Sequence, residues 1–256
     1  MRQPDISPAF KRPGIGAFAL RASAFAAVVL LAGCAAAPAD DPLAGVNRPV
    51  HAFNKGLDTV ALRPASQVYG AVAPTPVRQG VSNFADNLST PGDMVNNGLQ
   101  GDLDGFARNT FRLLMNSTVG VLGIWDVASA MGVEPEETDF GETLHVWGVG
   151  EGAYVELPVF GPSTTRDAFG TVVDFVIDPV GTTLDGREAD YALGARVGSV
   201  LDTRERFSTT IDSVLYDSAD SYSQSRLIYL QNRRFELGGD DAQQTIDTES
   251  DLYADF

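Results

Sequence analysis

Cysteine occurs once, at Cys34, and histidine twice, at His51 and His145. A single thiol excludes an intramolecular disulfide framework. Two histidines far apart, with no second cysteine, give no zinc-ligand spacing. Lysine is almost absent as well: beyond residue 33 only Lys55 remains, beside thirteen arginines. The whole chain of 256 residues carries a formal net charge of −16. So little positive charge against so many acids excludes nucleic acid as a partner, because phosphate neutralisation supplies most of that affinity. The acidity itself reads as colloidal solubility. Long apolar runs are also missing. The best, Ala22 to Ala32, falls well short of the about 20 residues a helix needs to cross the hydrocarbon core.

That short run has a different meaning at its position. Arg2, Lys11, Arg12 and Arg21 precede it and small residues close it, the layout of a secretory signal spanning 1–33. The junction Leu31-Ala32-Gly33-Cys34 resembles the lipobox of bacterial lipoproteins, which implies acylation of Cys34, and Ala35, in place of an aspartate, implies the outer membrane. Each buried methylene contributes about 0.8 kcal/mol, so two or more acyl chains hold a protein on a membrane stably. Removing 1–33 moves the net charge to −19. Residues 34–42 then read as a lipidated tether, 43–239 as one domain, and 240–256, with six acids and no base, as a disordered tail.

Within the body, apolar residues recur at helical spacing. Leu103, Phe106, Thr110, Leu113 and Leu114 share one face. Leu193, Val197, Val200, Leu201, Phe207, Ile211, Val214 and Leu215 keep that period and predict one long helix or two abutting ones. Val81, Phe84 and Leu88 predict a shorter helix ended by Pro91. Tyr222, Tyr229 and Leu230 predict a last helix to about Leu237, stopped by Gly238-Gly239. Strand alternation is confined to Ala153–Phe160, where Pro158 restricts it to an edge or hairpin arm. The fold class is mainly α, with little or no β-structure, and frequent Gly, Pro and Asn breaks predict short helices wrapped around a shape.

Three motifs invite chemistry. Gly148, Gly150 and Gly152 imitate a dinucleotide fingerprint, but an extended proline-containing segment follows where a helix amino terminus should hold the pyrophosphate, so no nucleotide is expected. Gly161-Pro-Ser163-Thr-Thr165 resembles a nucleophile elbow with Thr165 in place of the second glycine. Thr164 and Asp167 stand at capping-box-like spacing, which favours Ser163 or Thr164 as the cap of a helix from about Thr165 to Ile177. Glu134, Glu136, Glu137 and Asp139 read as a solvated loop, and Asp102 and Asp104 as helix-start acidity. No catalytic residue, metal ligand or cofactor emerges.

Four long blocks, "DPLAGVNRPVHAFNKGLD" (Asp41 to Asp58), "PTPVRQGVSNFADNLSTPGDMVNNGLQGD" (Pro74 to Asp102), "FGETLHVWGVGEGAYVELPVFGPSTTRD" (Phe140 to Asp167) and "LDTRERF" (Leu201 to Phe207), resemble the MlaA/VacJ family of outer-membrane lipoproteins. The resemblance implies a ring-like arrangement of short amphipathic helices around a central channel. It implies a protein anchored at Cys34 on the periplasmic face of the outer membrane and partly embedded in the inner leaflet. Mislocalised phospholipids would leave the outer leaflet through the channel and pass to a soluble periplasmic lipid carrier, with a trimeric porin as membrane partner. Gly148, Gly150 and Gly152 are then expected to give a hairpin beside the channel its torsional freedom, with Tyr154, Val155 and Leu157 touching lipid. Asn47, Arg48, Phe53 and Asn54 are expected to seat the first helix or to pack. A lipid hydrolase using Ser163 and a purely structural tether are the alternatives.

Overall fold

The structure is a computed structural model that describes residues 41–238. Cys34, the signal 1–33, most of the tether and the tail 240–256 lie outside the described residues. The chain divides into two units, Met1–Gly45 and Val46–Phe256; the elements below belong to the second, apart from the first residues of the first helix.

Helix α1 (Ala44–Leu57) continues through a π-turn (Asp58–Leu62) into α2 (Arg63–Val72). Next come α3 (Thr75–Gln100), α4 (Leu103–Thr118), α5 (Val127–Ala130) and α6 (Phe140–Val146). A hairpin of β1 (Tyr154–Leu157) and β2 (Gly161–Thr164) leads into α7 (Thr165–Ile177) and α8 (Pro179–Thr183). Then α9 (Arg187–Arg206), α10 (Ser208–Asp212), a second π-turn (Ser213–Asp217) and α11 (Ser221–Glu236) complete the described chain. The periodic run from Leu193 to Leu215 thus falls on α9, which starts earlier at Arg187, on the abutting α10 and on the second π-turn, and the final helix ends where its glycine stop predicts.

Acids and one threonine set most of these starts. Asp102, Asp126, Asp139, Thr164, Asp178 and Asp220 each accept a backbone N–H from the first turn of the helix they precede, satisfying a donor that the helix cannot. Gly101, at φ 77°, closes α3 in the left-handed conformation that suits a residue without Cβ.

Pro91 is a correction: α3 runs straight through it. A proline inside a helix forfeits one backbone bond, and here side-chain anchors on both sides outweigh that loss. Asn87 donates to Ser117 Oγ and to the Leu122 carbonyl, and Asn96 donates to Asp174 Oδ1 at 2.9 Å.

The interior is polar and the exterior apolar. Among the described residues, Asn96, Asn97, Asn109, Thr143, Thr164, Asp202 and Ser66 are the largest fully buried side chains, whereas the buried apolar residues are four alanines and two tyrosines. On α4 the inward positions are Gly105, Asn109, Arg112 and Asn116, while Leu103 and Leu114 stand 79% and 60% exposed. Helix α9 repeats the inversion, burying Ala192, Ala195, Gly198, Asp202 and Arg204 and presenting Leu193, Val197 and Val200 outward. So extensive an apolar exterior marks a contact with something other than water. Among the described residues no helix is long and apolar enough to cross a membrane.

Candidate functional site

A polar stripe on α3, Asn83, Asp86, Asn87, Thr90 and Asp93, forms one wall of a cavity of about 600 Å³. The spacing i, i+3, i+4, i+7, i+10 puts all five on one helix face. Ser89 of α3, Asn109, Arg112 and Asn116 of α4, Asp126, the segment from Pro135 to Asp139, Glu142 of α6, and Arg233 and Glu236 of α11 complete the lining. Glu136, Glu137 and Asp139 thus line the cavity from the loop that the sequence predicts, with Glu134, Glu136 and Glu137 exposed.

Amide side chains hold the wall together. Asn109 donates to Asn97 Oδ1 at 2.9 Å and to the Glu136 carbonyl at 2.7 Å. Asn116 donates to Asp126 and accepts from the Ala128 N–H, both at 3.0 Å. Thr143 donates to Asn96 Oδ1 at 3.0 Å. Asn96, Asn109 and Asn116 each satisfy a donor and an acceptor at once, so these contacts lock helix spacing with both ends of each amide paired.

Electrostatically the lining is lopsided: eight carboxylates face two guanidiniums. Arg112 is engaged by Asp126 at 3.0 Å, Ser129 Oγ and the Val133 carbonyl. Arg233 reaches Asp139 at 2.7 Å, and Asp167 and Glu236 at 3.3 Å. Burial would raise the Asp126 carboxyl, but hydrogen bonds from Ser129, Asn116 and Arg112 outweigh it and hold the group at about 2. Asp93 goes the other way. Burial, then the nearby charges of Glu137, Asp174 and Asp139, push it up to about 7 against a backbone hydrogen bond from Thr138. Burial and neighbouring acids also raise Asp86 and Glu142.

The hairpin sits against α1. Asn47 Nδ2 donates to the Tyr154 carbonyl and its Oδ1 accepts from the Glu156 N–H, both at 3.0 Å. Seven residues on, Asn54 repeats the pattern with the Leu157 carbonyl (2.9 Å) and the Val159 N–H (2.8 Å). The two amides thus substitute for a neighbouring strand on the open edge of β1. Glu156 stands opposite Pro162, which has no N–H to offer, and turns its own N–H to Asn47. Between the amides, His51 lies 3.2 Å from Glu156 and 3.1 Å from Ser221. Arg48 pairs with Asp220 at 2.9 Å and stacks over Tyr222, and Phe53 is exposed.

The expected lipid-contact residues divide. Tyr154 is a correction: it is 4% exposed, lies edge-on to Tyr222 and bonds Glu156, because the pleat turns alternate residues inward. Val155 and Leu157 take the other face and are half-buried. Gly148 and Gly152 have φ of 86° and 72°, whereas Gly150 has no such requirement and open space around it. Ser163 is buried in β2 and donates to the Thr164 carbonyl at 3.2 Å. The helix cap is Thr164, which accepts from the Asp167 N–H. His145 lies against Arg166 and His51 against Glu156, so neither histidine is hydrogen-bonded to Ser163 among the described residues.

Residues 39–236 match the model of the MlaA lipoprotein family. The chain belongs to the MlaA lipoprotein family. It is 36% identical over 231 residues to the intermembrane phospholipid transport system lipoprotein MlaA of Shigella flexneri, covering 86% of this chain and 90% of the relative. The MlaA of Escherichia coli K12 gives the same identity and the same coverage. That of Haemophilus influenzae is 28% identical over 227 residues, covering 84% of this chain and 89% of the relative. A solved structure described as the structural basis for maintenance of bacterial outer membrane lipid asymmetry superposes with a TM-score of 0.66 at 35% identity, covering 77% of this chain and 99% of that one.

In this MlaA-family chain the two π-turns meet at a second polar node. Arg204 bonds Asp58 at 2.8 and 3.0 Å and also reaches Asp212, while Tyr216 donates to Asp58 at 2.7 Å. Neither this node nor the α3 stripe carries a sequence motif. The stripe nevertheless has a signal, since Asn and Asp recur at helical period opposite Val81, Phe84 and Leu88.

Proposed function

We propose that this chain is an outer-membrane lipoprotein that removes mislocalised phospholipids from the outer leaflet through its polar cavity and passes them to a soluble periplasmic carrier. The carrying observation is the inverted build: apolar side chains outside, an acidic, water-compatible cavity of about 600 Å³ within. A charged headgroup at the bilayer centre costs on the order of 2.5 to 3.5 kcal/mol or more. A polar wall removes that cost while the acyl tails remain in apolar surroundings. Because backbone groups bond within their helices, an apolar outer face can meet hydrocarbon without exposing N–H or C=O groups. The phospholipid transport named for the curated relatives supports the same reading.

In this reading Cys34 carries the acyl anchor, the body is partly embedded in the inner leaflet, and a trimeric porin holds it in the outer membrane. The protein is a passive conduit that makes and breaks no bond, and direction comes from the carrier's affinity for lipid. The test is a strain whose only copy carries Ser89→Trp with Glu137→Trp, two lining positions that are exposed to the cavity. Phospholipase-accessible phospholipid on intact cells is expected to rise to the level of the deletion strain, while Ser89→Ala with Glu137→Ala restores asymmetry. Full function of the tryptophan pair would favour a structural tether. Fatty acid released by purified protein and abolished by Ser163→Ala would favour a hydrolase.

A further inference from the structure

We propose that the cavity selects headgroups by charge, admitting a phospholipid that ends in a primary ammonium ahead of one that is simply anionic. This rests on the conduit reading above. The wall has no uncommitted cation for a phosphate, since Arg112 and Arg233 are each bound to carboxylates. Among the described residues, Glu136 and Glu137 face the cavity without a side-chain hydrogen bond or ion pair. An independent observation points to the same class of ligand. Asn87, nine-tenths buried and in the cavity wall, spends both donors on Ser117 and the Leu122 carbonyl, and its Oδ1 keeps no partner. A buried acceptor without a donor is costly, and an ammonium brings three donors and no acceptor.

The strain in the wall agrees with this. Burial and the surrounding acids push Asp93 up to about 7, so the cavity holds more negative charge than its surroundings stabilise. An incoming ammonium relieves that excess, whereas a headgroup with only a phosphate adds to it. The phosphate is common to both headgroups, so one ammonium–carboxylate attraction gained, at contact distance and near-aqueous screening, sets a preference of roughly tenfold.

The test offers the lipidated full chain, in nonionic detergent, equal amounts of phosphatidylethanolamine and phosphatidylglycerol with identical acyl chains. Bound lipid is counted by native mass spectrometry. Roughly tenfold enrichment of the ethanolamine lipid is expected, falling towards parity in Glu136→Gln with Glu137→Gln and shifting further towards the glycerol lipid in Glu137→Lys. Both positions are exposed loop residues, and circular dichroism checks that helix content is kept. Equal occupancy or glycerol preference in the unaltered protein overturns the proposal, as does a ratio that neither variant moves. If no phospholipid binds at all, the conduit reading falls and the selectivity falls with it; if both bind equally, only the selectivity does.

Discussion

Replacing Asn47 by alanine should free the hairpin while leaving the helices in place. The amide meets the Tyr154 carbonyl and the Glu156 N–H at 3.0 Å each, both on the edge of β1 away from β2. Alanine supplies neither partner, and Asn47 is 2% exposed, so water replaces it poorly. Leaving a buried donor or acceptor unmade costs about 1 to 3 kcal/mol apiece, which gives about 2 to 6 kcal/mol for the pair. Asn54→Ala removes the two backbone bonds and a longer one to Glu156 Oε1 at 3.5 Å, but at the exposed end where Val159 turns. Water can replace part of the loss there, and about 1 to 2 kcal/mol is expected. Val159 sits at φ 73°, a strained conformation for a β-branched residue, so the Asn54 bond also holds an unfavourable turn. Hydrogen exchange read by mass spectrometry on the 154–165 segment separates the two. Local opening should accelerate roughly 30-fold for each 2 kcal/mol lost, with Asn47→Ala the larger effect and α4 unchanged. Equal protection in Asn47→Ala and the unaltered chain, or a larger effect at Asn54, would refute the edge-pairing argument.

Three further outcomes rest on the same kind of geometry. Asp93 has its carboxyl raised to about 7 from an ordinary value near 4, so the folded state holds a proton that the unfolded chain releases. Stability is therefore fully present at low pH and is lost as pH rises through that window, by on the order of 2 to 4 kcal/mol. Thermal unfolding in detergent at pH 5 and pH 8 should show this slope in the unaltered chain and a flatter one in Asp93→Asn; parallel slopes would sink the argument. Gly152→Ala drives a Cβ into Thr165 Oγ1 at φ 72°, so a loss of about 2 to 3 kcal/mol is expected. Gly150→Ala, in open space, should leave the melting temperature within a degree or two. Arg204→Met strands Asp58, which is 6% exposed, at about 3 to 5 kcal/mol; Asp58→Asn added to it should recover much of the loss, and a double variant no better than the single would contradict the pairing.

Much of the helical skeleton is legible because its starts are written in short polar side chains. Asp102, Thr164 and Asp220 stand where caps belong, and Thr165–Ile177 follows from Thr164 and Asp167 alone. Pro91 misleads because the rule that a proline ends a helix is local, whereas the anchors from Asn87 and Asn96 come from α4, the following loop and α7. Tyr154 misleads differently. Exposure along a strand depends on which neighbour covers which face, and β1 is covered by Tyr222 and Tyr229 from α11, about seventy residues away. The π-turns have no composition signal. The cavity does have one, but an apolar stripe and a polar stripe on the same helix define each other, and periodicity alone does not say which faces inward.

Which stripe faces inward is decided by the surroundings. In water, burying Leu103, Leu114 and Phe175 would release apolar surface worth about 25 cal/mol per Å², and the asparagines would turn outward. Against hydrocarbon that drive disappears, since lipid tails are as apolar as leucine, and helix association falls to packing and interhelical hydrogen bonds. The described chain has the composition of the second case: small residues such as Ala192, Ala195 and Gly198 at helix contacts, and amides that bond two helices at once. The polar cavity is therefore tied to the way the fold holds together. In the proposed lipid setting, the same inward stripe that replaces a hydrophobic core also leaves a wet, charged interior with the means to shelter a headgroup.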